Sequence, residues 1–166
     1  MSDLINRFLK EDEEDVTTEK YLTFIIDKQT YAVEISNVKE IISIQDITTM
    51  PDFPDFIKGI INVRGVIIPV IDMRYRFKKP EIEYNDRTSI VITIINELLV
   101  GLIVDSVDEV LDIEKADISP SPKMSSDTNA KYVSDIAKVD KKIILILDAN
   151  RILNNDELSG IADIIE

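Results

Sequence analysis

The fold of this protein is decided by residues 56–74, which read FIKGIINVRGVIIPVIDMR. Two runs rich in β-branched residues, Ile60–Val63 and Val66–Ile71, flank the dipeptide Arg64-Gly65. Branched aliphatic side chains favour strands, and a glycine that accepts positive φ favours a tight turn between them. The stretch therefore predicts a β-hairpin with Arg64 and Gly65 at its turn.

The hairpin belongs to a pattern that occurs twice in the chain. Residues Tyr31–Ile41 match Val100–Val110 at an offset of 69, and Ile60–Asp72 match Ile136–Asp148 at an offset of 76. The additional residues of the second copy fall in the proline-bearing loop Lys115–Lys131, where insertions cost little. This duplication predicts two similar five-stranded units, and closing each into a small barrel removes its exposed edges.

We therefore predict an all-β protein of two packed five-stranded β-barrels with short helices. The first barrel is expected over about residues 20–79 and the second over about residues 85–153. Apolar side chains at helical spacing predict a C-terminal helix over 154–166. Residues 1–19, rich in Asp and Glu, are predicted to be a flexible acidic tail, with a short docking helix over 3–10 as the alternative.

Composition limits the classes of partner and of chemistry. The formal net charge is −13, from 19 basic and 32 acidic residues, and such a chain repels nucleic acid and anionic membrane surfaces. There is no Cys and no His, so thiol nucleophiles, zinc–thiolate sites and the commonest general base are absent from the chain. We expect no cofactor, no metal and no enzymatic activity.

The N-terminus lacks the basic and then apolar pattern of a signal peptide. The longest apolar runs are far shorter than the ~20 residues that a membrane span requires. We therefore expect an intracellular protein without direct membrane insertion.

Three segments of the chain resemble a known family. Residues 56–74 resemble the signature hairpin of the CheW family of bacterial chemotaxis coupling proteins. Gly101–Val110 is similar to the second characteristic segment of that family, and Ile143–Asp148, followed by Arg151–Leu153, to the third. The resemblance spans about residues 20–153, in the family's order. It departs at Asp135, where the family usually has glycine.

This resemblance implies two SH3-like β-barrels and a non-enzymatic adaptor in chemotaxis signal transduction. Such an adaptor couples the cytoplasmic signalling tips of chemoreceptors to the regulatory domain of the histidine kinase CheA, which is itself a relative of CheW. The resemblance also implies a cytoplasmic protein recruited to receptor arrays at the inner membrane, without a cofactor. A regulatory-domain fragment of a kinase, or of a fused coupling–receiver protein, is the alternative.

The resemblance implies that four residues contact the receptor, namely Val38, Glu40, Arg64 and Val110. A charged residue at a tight turn is often only solvated, but a fixed guanidinium anchors a carboxylate or carbonyl of a partner. The resemblance favours the second interpretation for Arg64. For Val38, the alternative is a simple core residue. Val110 corresponds to Ile41 in the duplication, and the resemblance assigns it to an apolar groove between the lobes.

Other conspicuous residues are expected to serve the backbone. Gly59, Gly65 and Gly101 are predicted structural glycines at turns or close approaches, and no phosphate-binding glycine pattern is present. Asp72 and Asp148 end equivalent strands and are expected to cap the turns that follow.

The sequence disfavours two other functional classes. A catalytic carboxylate pair or Ser–Lys couple would need a pocket that the sequence does not single out. A barrel that binds nucleic acid would need a basic face studded with aromatic residues, which the negative charge disfavours.

Overall fold

The computed structural model describes residues 17–121 and 131–165, which form eleven strands and two α-helices. The strands are β1 (Thr18–Ile26), β2 (Gln29–Glu34), β3 (Val38–Ser43), β4 (Gly59–Val63), β5 (Val66–Asp72), β6 (Ser89–Ile95), β7 (Leu98–Val104), β8 (Ser106–Glu114), β9 (Ile118–Pro120), β10 (Val133–Val139) and β11 (Lys142–Leu147). The helices are α1 (Met73–Arg76) and α2 (Asn155–Ile165). Residues 1–16 of the predicted tail lie outside the described residues. The predicted boundary at residue 19 is too late, because β1 begins at Thr18.

The strands form two sheets. The six-stranded sheet has the order β8-β1-β2-β11-β10-β9, and the five-stranded sheet has the order β3-β6-β7-β5-β4. Neighbouring strands are antiparallel except for the β2–β11 and β5–β7 pairs, which are parallel. Each sheet curls into an SH3-like barrel, which confirms the predicted all-β class. The short β9 is an additional strand in the six-stranded sheet.

The strand pairing corrects the predicted division into barrels over residues 20–79 and 85–153. β1 and β2 pair with β8 and β11 from the second half of the chain, whereas β6 and β7 pair with β3 and β5 from the first half. The strand pairing nevertheless preserves the repeat. Ala32 pairs with Ile146 in one sheet, and their counterparts in the duplication, Gly101 and Val70, pair in the other. The β1–β2 and β6–β7 hairpins are copies of one another, so the sequence pattern alone does not decide which barrel each completes.

Four hairpin turns share one backbone geometry, with positive φ at both central residues. They are Asp27 and Lys28 (φ 49° and 69°), Arg64 and Gly65 (50° and 86°), Asn96 and Glu97 (47° and 68°), and Asp140 and Lys141 (49° and 68°). Two-residue turns of this hand match the right-handed twist of the strands that they connect. The predicted hairpin at Arg64-Gly65 is confirmed by the pairing of Val63 with Val66.

The core has three parts. One small cluster lies within the six-stranded sheet around Ile113 and Ile144, and another lies within the five-stranded sheet around Ile90 and Ile103. The largest cluster draws buried residues from both sheets and joins the barrels through an apolar layer. A row of rings crosses this layer through Phe24, Tyr31, Phe77 and Tyr132, with centroids 6.4, 5.1 and 5.6 Å apart. Ring pairs at these separations add stabilisation beyond the apolar area that they bury.

The two strand-end aspartates act as caps, as predicted. The Arg74 N–H donates to Asp72 Oδ1 at 2.9 Å, and the Asn150 N–H donates to Asp148 Oδ1 at 3.0 Å. Each bond gives a partner to a backbone N–H at the start of a short helical turn. Such an N–H has no hydrogen-bond partner in the preceding strand pairing.

The C-terminal helix begins with a reciprocal cap. The Glu157 N–H donates to Asn154 Oδ1 at 2.8 Å, and the Asn154 N–H donates to Glu157 Oε1 at 3.0 Å. Leu158 and Ile161 are buried, whereas Ile165, one turn further along the same face, is 39% exposed at the end of the helix. Neither described helix has the length and apolar character needed to cross a membrane.

Candidate protein-docking surface

The five-stranded barrel is closed where its two edge strands, β3 and β4, approach each other. Arg64, at the turn after β4, forms an ion pair with Glu40 of β3, and its Nη1 donates to Glu40 Oε1 at 2.9 Å. The Gln45 side chain donates to the Asn62 carbonyl at 3.2 Å. These contacts join the two edge strands, so the ion pair spans the closure of the barrel.

Both backbone and side chain fix the position of Arg64. Its φ of 50° belongs to the tight turn, and the Gly65 N–H donates to Asn62 Oδ1 at 2.8 Å. The Arg64 side chain is 73% exposed and that of Glu40 is 29% exposed. The hydrogen bond between them holds the pKa of Glu40 below its usual value and raises the pKa of Arg64. A bidentate pair with a carboxylate uses only two of the five guanidinium N–H groups, so the others can donate to a partner protein.

A β-bulge places Val38 and Glu40 on different faces of β3. Val38 pairs with Thr93, Glu40 pairs with Ile92, and the register shifts between them. Without this shift, residues two apart would share a face. Val38 is partly buried against the apolar layer between the barrels, whereas Glu40 turns to Arg64.

Val110 lies in the other sheet, on the edge strand β8, where it pairs with Leu22 and is 51% exposed. Its counterpart in the duplication, Ile41, lies on the edge strand β3, pairs with Val91 and is 41% exposed. Ile41 was not among the predicted contact residues, although the offset of 69 identifies it. The two edge strands therefore present exposed apolar side chains at equivalent positions.

Of the predicted structural glycines, only Gly65 lies at a turn. Gly59 begins β4, and a Cβ added there would lie 2.4 Å from the Thr48 carbonyl oxygen. Gly101 lies within β7, where a Cβ would meet the side chain of Val70 at 2.7 Å. Asp135 is the counterpart of Gly59 and pairs with Pro120 of β9. Ser134 Oγ donates to its carboxylate at 2.9 Å.

The structure thus brings Glu40 and Arg64 into contact. It places Val38 on the edge strand β3 and Val110 on the edge strand β8 of the other sheet. Among residues 17–121 and 131–165, no group of three or more His, Cys, Asp or Glu side chains could hold a metal ion. Exposed apolar side chains beside a fixed guanidinium are typical of surfaces that bind other proteins. These features make the surface a candidate for docking another protein.

Comparison with known proteins identifies the family. The family model named CheW-like domain matches residues 20–157. The chain is 35% identical over 141 residues to the chemotaxis protein CheW of Bacillus subtilis, covering 84% of this chain and 90% of that one. It is 32% identical over 134 residues to the chemotaxis protein CheW of Thermotoga maritima, covering 80% and 85%. The crystal structure of the scaffolding protein TtCheW from Thermoanaerobacter tengcongensis matches with a TM-score of 0.77 and 37% identity, covering 84% and 97%.

The chain belongs to the CheW-like family, as the sequence resemblance predicted. It is a non-catalytic scaffold of chemotaxis signalling.

Proposed function

We propose that this protein couples the cytoplasmic signalling tips of chemoreceptors to the regulatory domain of the histidine kinase CheA. It works in the cytoplasm and is recruited to receptor arrays at the inner membrane. The observation that carries the proposal is the presence of Ile41 and Val110 at equivalent, exposed positions of the two edge strands, with the Arg64–Glu40 ion pair on one of them.

The chemistry of this surface suits a helical partner. An amphipathic helix presents apolar side chains at spacings of three and four residues, and it docks by placing them against apolar positions. Val110 and Ile41 supply such positions, while Val38 supports the strand from the apolar layer beneath. The free N–H groups of Arg64 would then donate to a carboxylate or carbonyl of the helix, which sets its register.

The resemblance to the CheW family supports the kinase contact. The regulatory domain of CheA is related to CheW, so two barrels of similar shape can pack end to end. The hairpin ends of this chain expose Ile67 and Ile143, which are 39% and 54% exposed and are equivalent in the duplication. Exposed apolar side chains at the ends of both barrels suit such a contact.

The receptor surface is tested by exchanging the charges of its ion pair. The double variant Glu40→Arg, Arg64→Glu keeps an ion pair that closes the barrel but inverts the charges offered to the receptor. We expect it to fold as the parent does and to lose binding to a receptor-tip fragment, while binding to the isolated CheA regulatory domain is retained. Titration calorimetry with each partner, singly and together, measures both affinities.

A matched control is the exposed pair of Lys115 and Glu19, 3.9 Å apart, with side chains 48% and 43% exposed. Exchanging these charges should leave both affinities unchanged. Parental receptor affinity in the Glu40 and Arg64 exchange would refute the assigned surface. Failure of the parent protein to bind either partner would refute the coupling function itself.

A further inference from the structure

Two equivalent crossovers connect the sheets. The chain passes from β2 to β3 through Ile35–Asn37, and it returns from β7 to β8 through Asp105 alone. Asp105 corresponds to Ser36 at the offset of 69. Each crossover leads directly into an edge strand that carries proposed docking residues.

The second crossover is held by an ion pair that is largely buried. The side chains of Arg74 and Asp105 are 11% and 20% exposed. Arg74 Nε donates to Asp105 Oδ1 at 2.8 Å, and Arg74 Nη2 donates to Asp105 Oδ2 at 2.7 Å. This two-point geometry is specific to a guanidinium and a carboxylate. Burial acts to raise the pKa of Asp105, but the bonds from Arg74 and from the Asp27 N–H outweigh it and lower that pKa.

The pair joins elements of both barrels. Arg74 lies in α1, directly after β5 of the five-stranded sheet, and its Nη1 also donates to the Pro80 carbonyl at 2.8 Å. The Asp27 N–H, in the β1–β2 turn of the six-stranded sheet, donates to Asp105 Oδ2 at 2.9 Å. The Asp27 carboxylate is itself 3.6 Å from the Arg74 guanidinium. Removing the charge of Asp105 would therefore loosen the crossover from both sheets.

The duplication does not repeat this arrangement. At the two offsets, Asp105 corresponds to Ser36 and Arg74 corresponds to Asn150. Neither Ser36 nor Asn150 carries a charge, so no ion pair between them can hold the first crossover. The crossover into β8, the strand of Val110, is thus held by an ion pair that has no equivalent at the crossover into β3, the strand of Ile41.

We propose that Arg74 and Asp105 are positioning residues that set the distance and angle between the two docking edges, β3 and β8. A partner that contacts both edges at once requires them at a fixed separation. Loosening one edge therefore lowers the affinity for that partner, although Arg74 and Asp105 do not contact it. This inference rests on the proposed function for its effect on receptor binding, but the position of the strands can be measured without any partner.

The absence of cysteine from the chain permits a direct distance measurement. Ser43 on β3 and Asp112 on β8 are exposed, equivalent positions, and nitroxide labels on S43C and D112C report the separation of the edges. In the labelled full chain, Asp105→Asn is expected to broaden the distance distribution from pulsed electron paramagnetic resonance. In the unlabelled chain it is expected to weaken binding of a receptor-tip fragment about 2- to 30-fold.

Glu157→Gln provides the matched control, because it removes the charge from another largely buried ion pair, Arg76–Glu157, that holds α2 rather than β8. It should lower stability and leave the distance distribution and the receptor affinity as in the parent. If Asp105→Asn does not fold, Arg74→Lys keeps the charge, loses the two-point geometry and should also broaden the distribution.

A parental distribution in a folded Asp105 or Arg74 variant would overturn the proposal, as would an equal effect of Glu157→Gln. Broadening without any receptor binding by the parent would refute the coupling function and leave the positioning role supported.

Discussion

Gly101 and Val70 face each other in the parallel pair of β7 and β5, and the Val70 side chain fills the space where a Cβ of residue 101 would lie. That Cβ would be 2.7 Å from Val70 Cγ1 and 2.8 Å from Ile90 Cγ2. The equivalent pair in the six-stranded sheet is Ala32 and Ile146, which accommodates a methyl group. The two barrels therefore share one pairing scheme but pack their cores differently.

Gly101→Ala is expected to lower the free energy of unfolding by about 1–3 kcal/mol, because a packed core must shift to admit the methyl group. Urea denaturation measures the change. Gly160→Ala is the control, since a Cβ there would lie in open space beside the helix and alanine suits a helix interior. It should raise stability by about 0.5–1 kcal/mol. A neutral Gly101→Ala would show that the Val70 and Ile90 side chains move aside freely.

Gly59→Ala is expected to be more damaging, with a loss of about 3 kcal/mol or more, because the nearest obstacle is the Thr48 backbone oxygen at 2.4 Å. The clash would separate Thr48 from Ile60, whose reciprocal bonds of 2.9 Å help to close the barrel. Asp135→Ala, at the equivalent position, should cost only about 0.5–1.5 kcal/mol through its lost bond from Ser134 Oγ. Similar melting temperatures for the two variants would contradict this difference.

Tyr84→Phe tests the buried carboxylate at the end of β5. The Tyr84 hydroxyl donates to Asp72 Oδ2 at 2.7 Å, and Asp72 is 7% exposed. Burial, together with this bond, raises the pKa of Tyr84. Removing the hydroxyl leaves a buried carboxylate oxygen without its donor, which should cost about 1–3 kcal/mol in chemical denaturation. An unchanged midpoint would mean that water replaces the hydroxyl.

The Arg76–Glu157 pair predicts how stability depends on pH. Burial acts to raise the pKa of Glu157, but the bond from Arg76 outweighs it, so that the folded-state pKa is lowered. An unfolded Glu has a pKa of about 4.3, so the ionised pair stabilises the fold above that pH. The contribution is lost as the pH falls through the lower, folded-state value.

Glu157→Gln should accordingly be less stable than the parent at pH 7, and the difference should shrink steadily in acid. Urea denaturation at several pH values between about 7 and 3 measures it. A difference that stays constant across this range would show that Glu157 acts through packing or capping and not through its charge.

Much of the local structure was predictable because it depends on neighbours in the chain. The turn at Arg64-Gly65 and the caps at Asp72 and Asp148 follow from short-range backbone geometry. The Arg64–Glu40 and Arg74–Asp105 pairs were not predicted, because their partners lie 24 and 31 residues apart in the chain. The bulge that separates Val38 from Glu40 also depends on the register with a distant strand.

By itself, the sequence determined the all-β class, the duplication and the family, since each of these depends on residue types and their spacing. The receptor-contact role of Val38, Glu40, Arg64 and Val110 was predicted from the family resemblance and stays a prediction. Only the tertiary structure decided which hairpin completes which barrel and which charged side chains meet. The reason is that the repeated hairpins are interchangeable in pattern, and the choice between them depends on packing across the apolar layer that joins the two barrels.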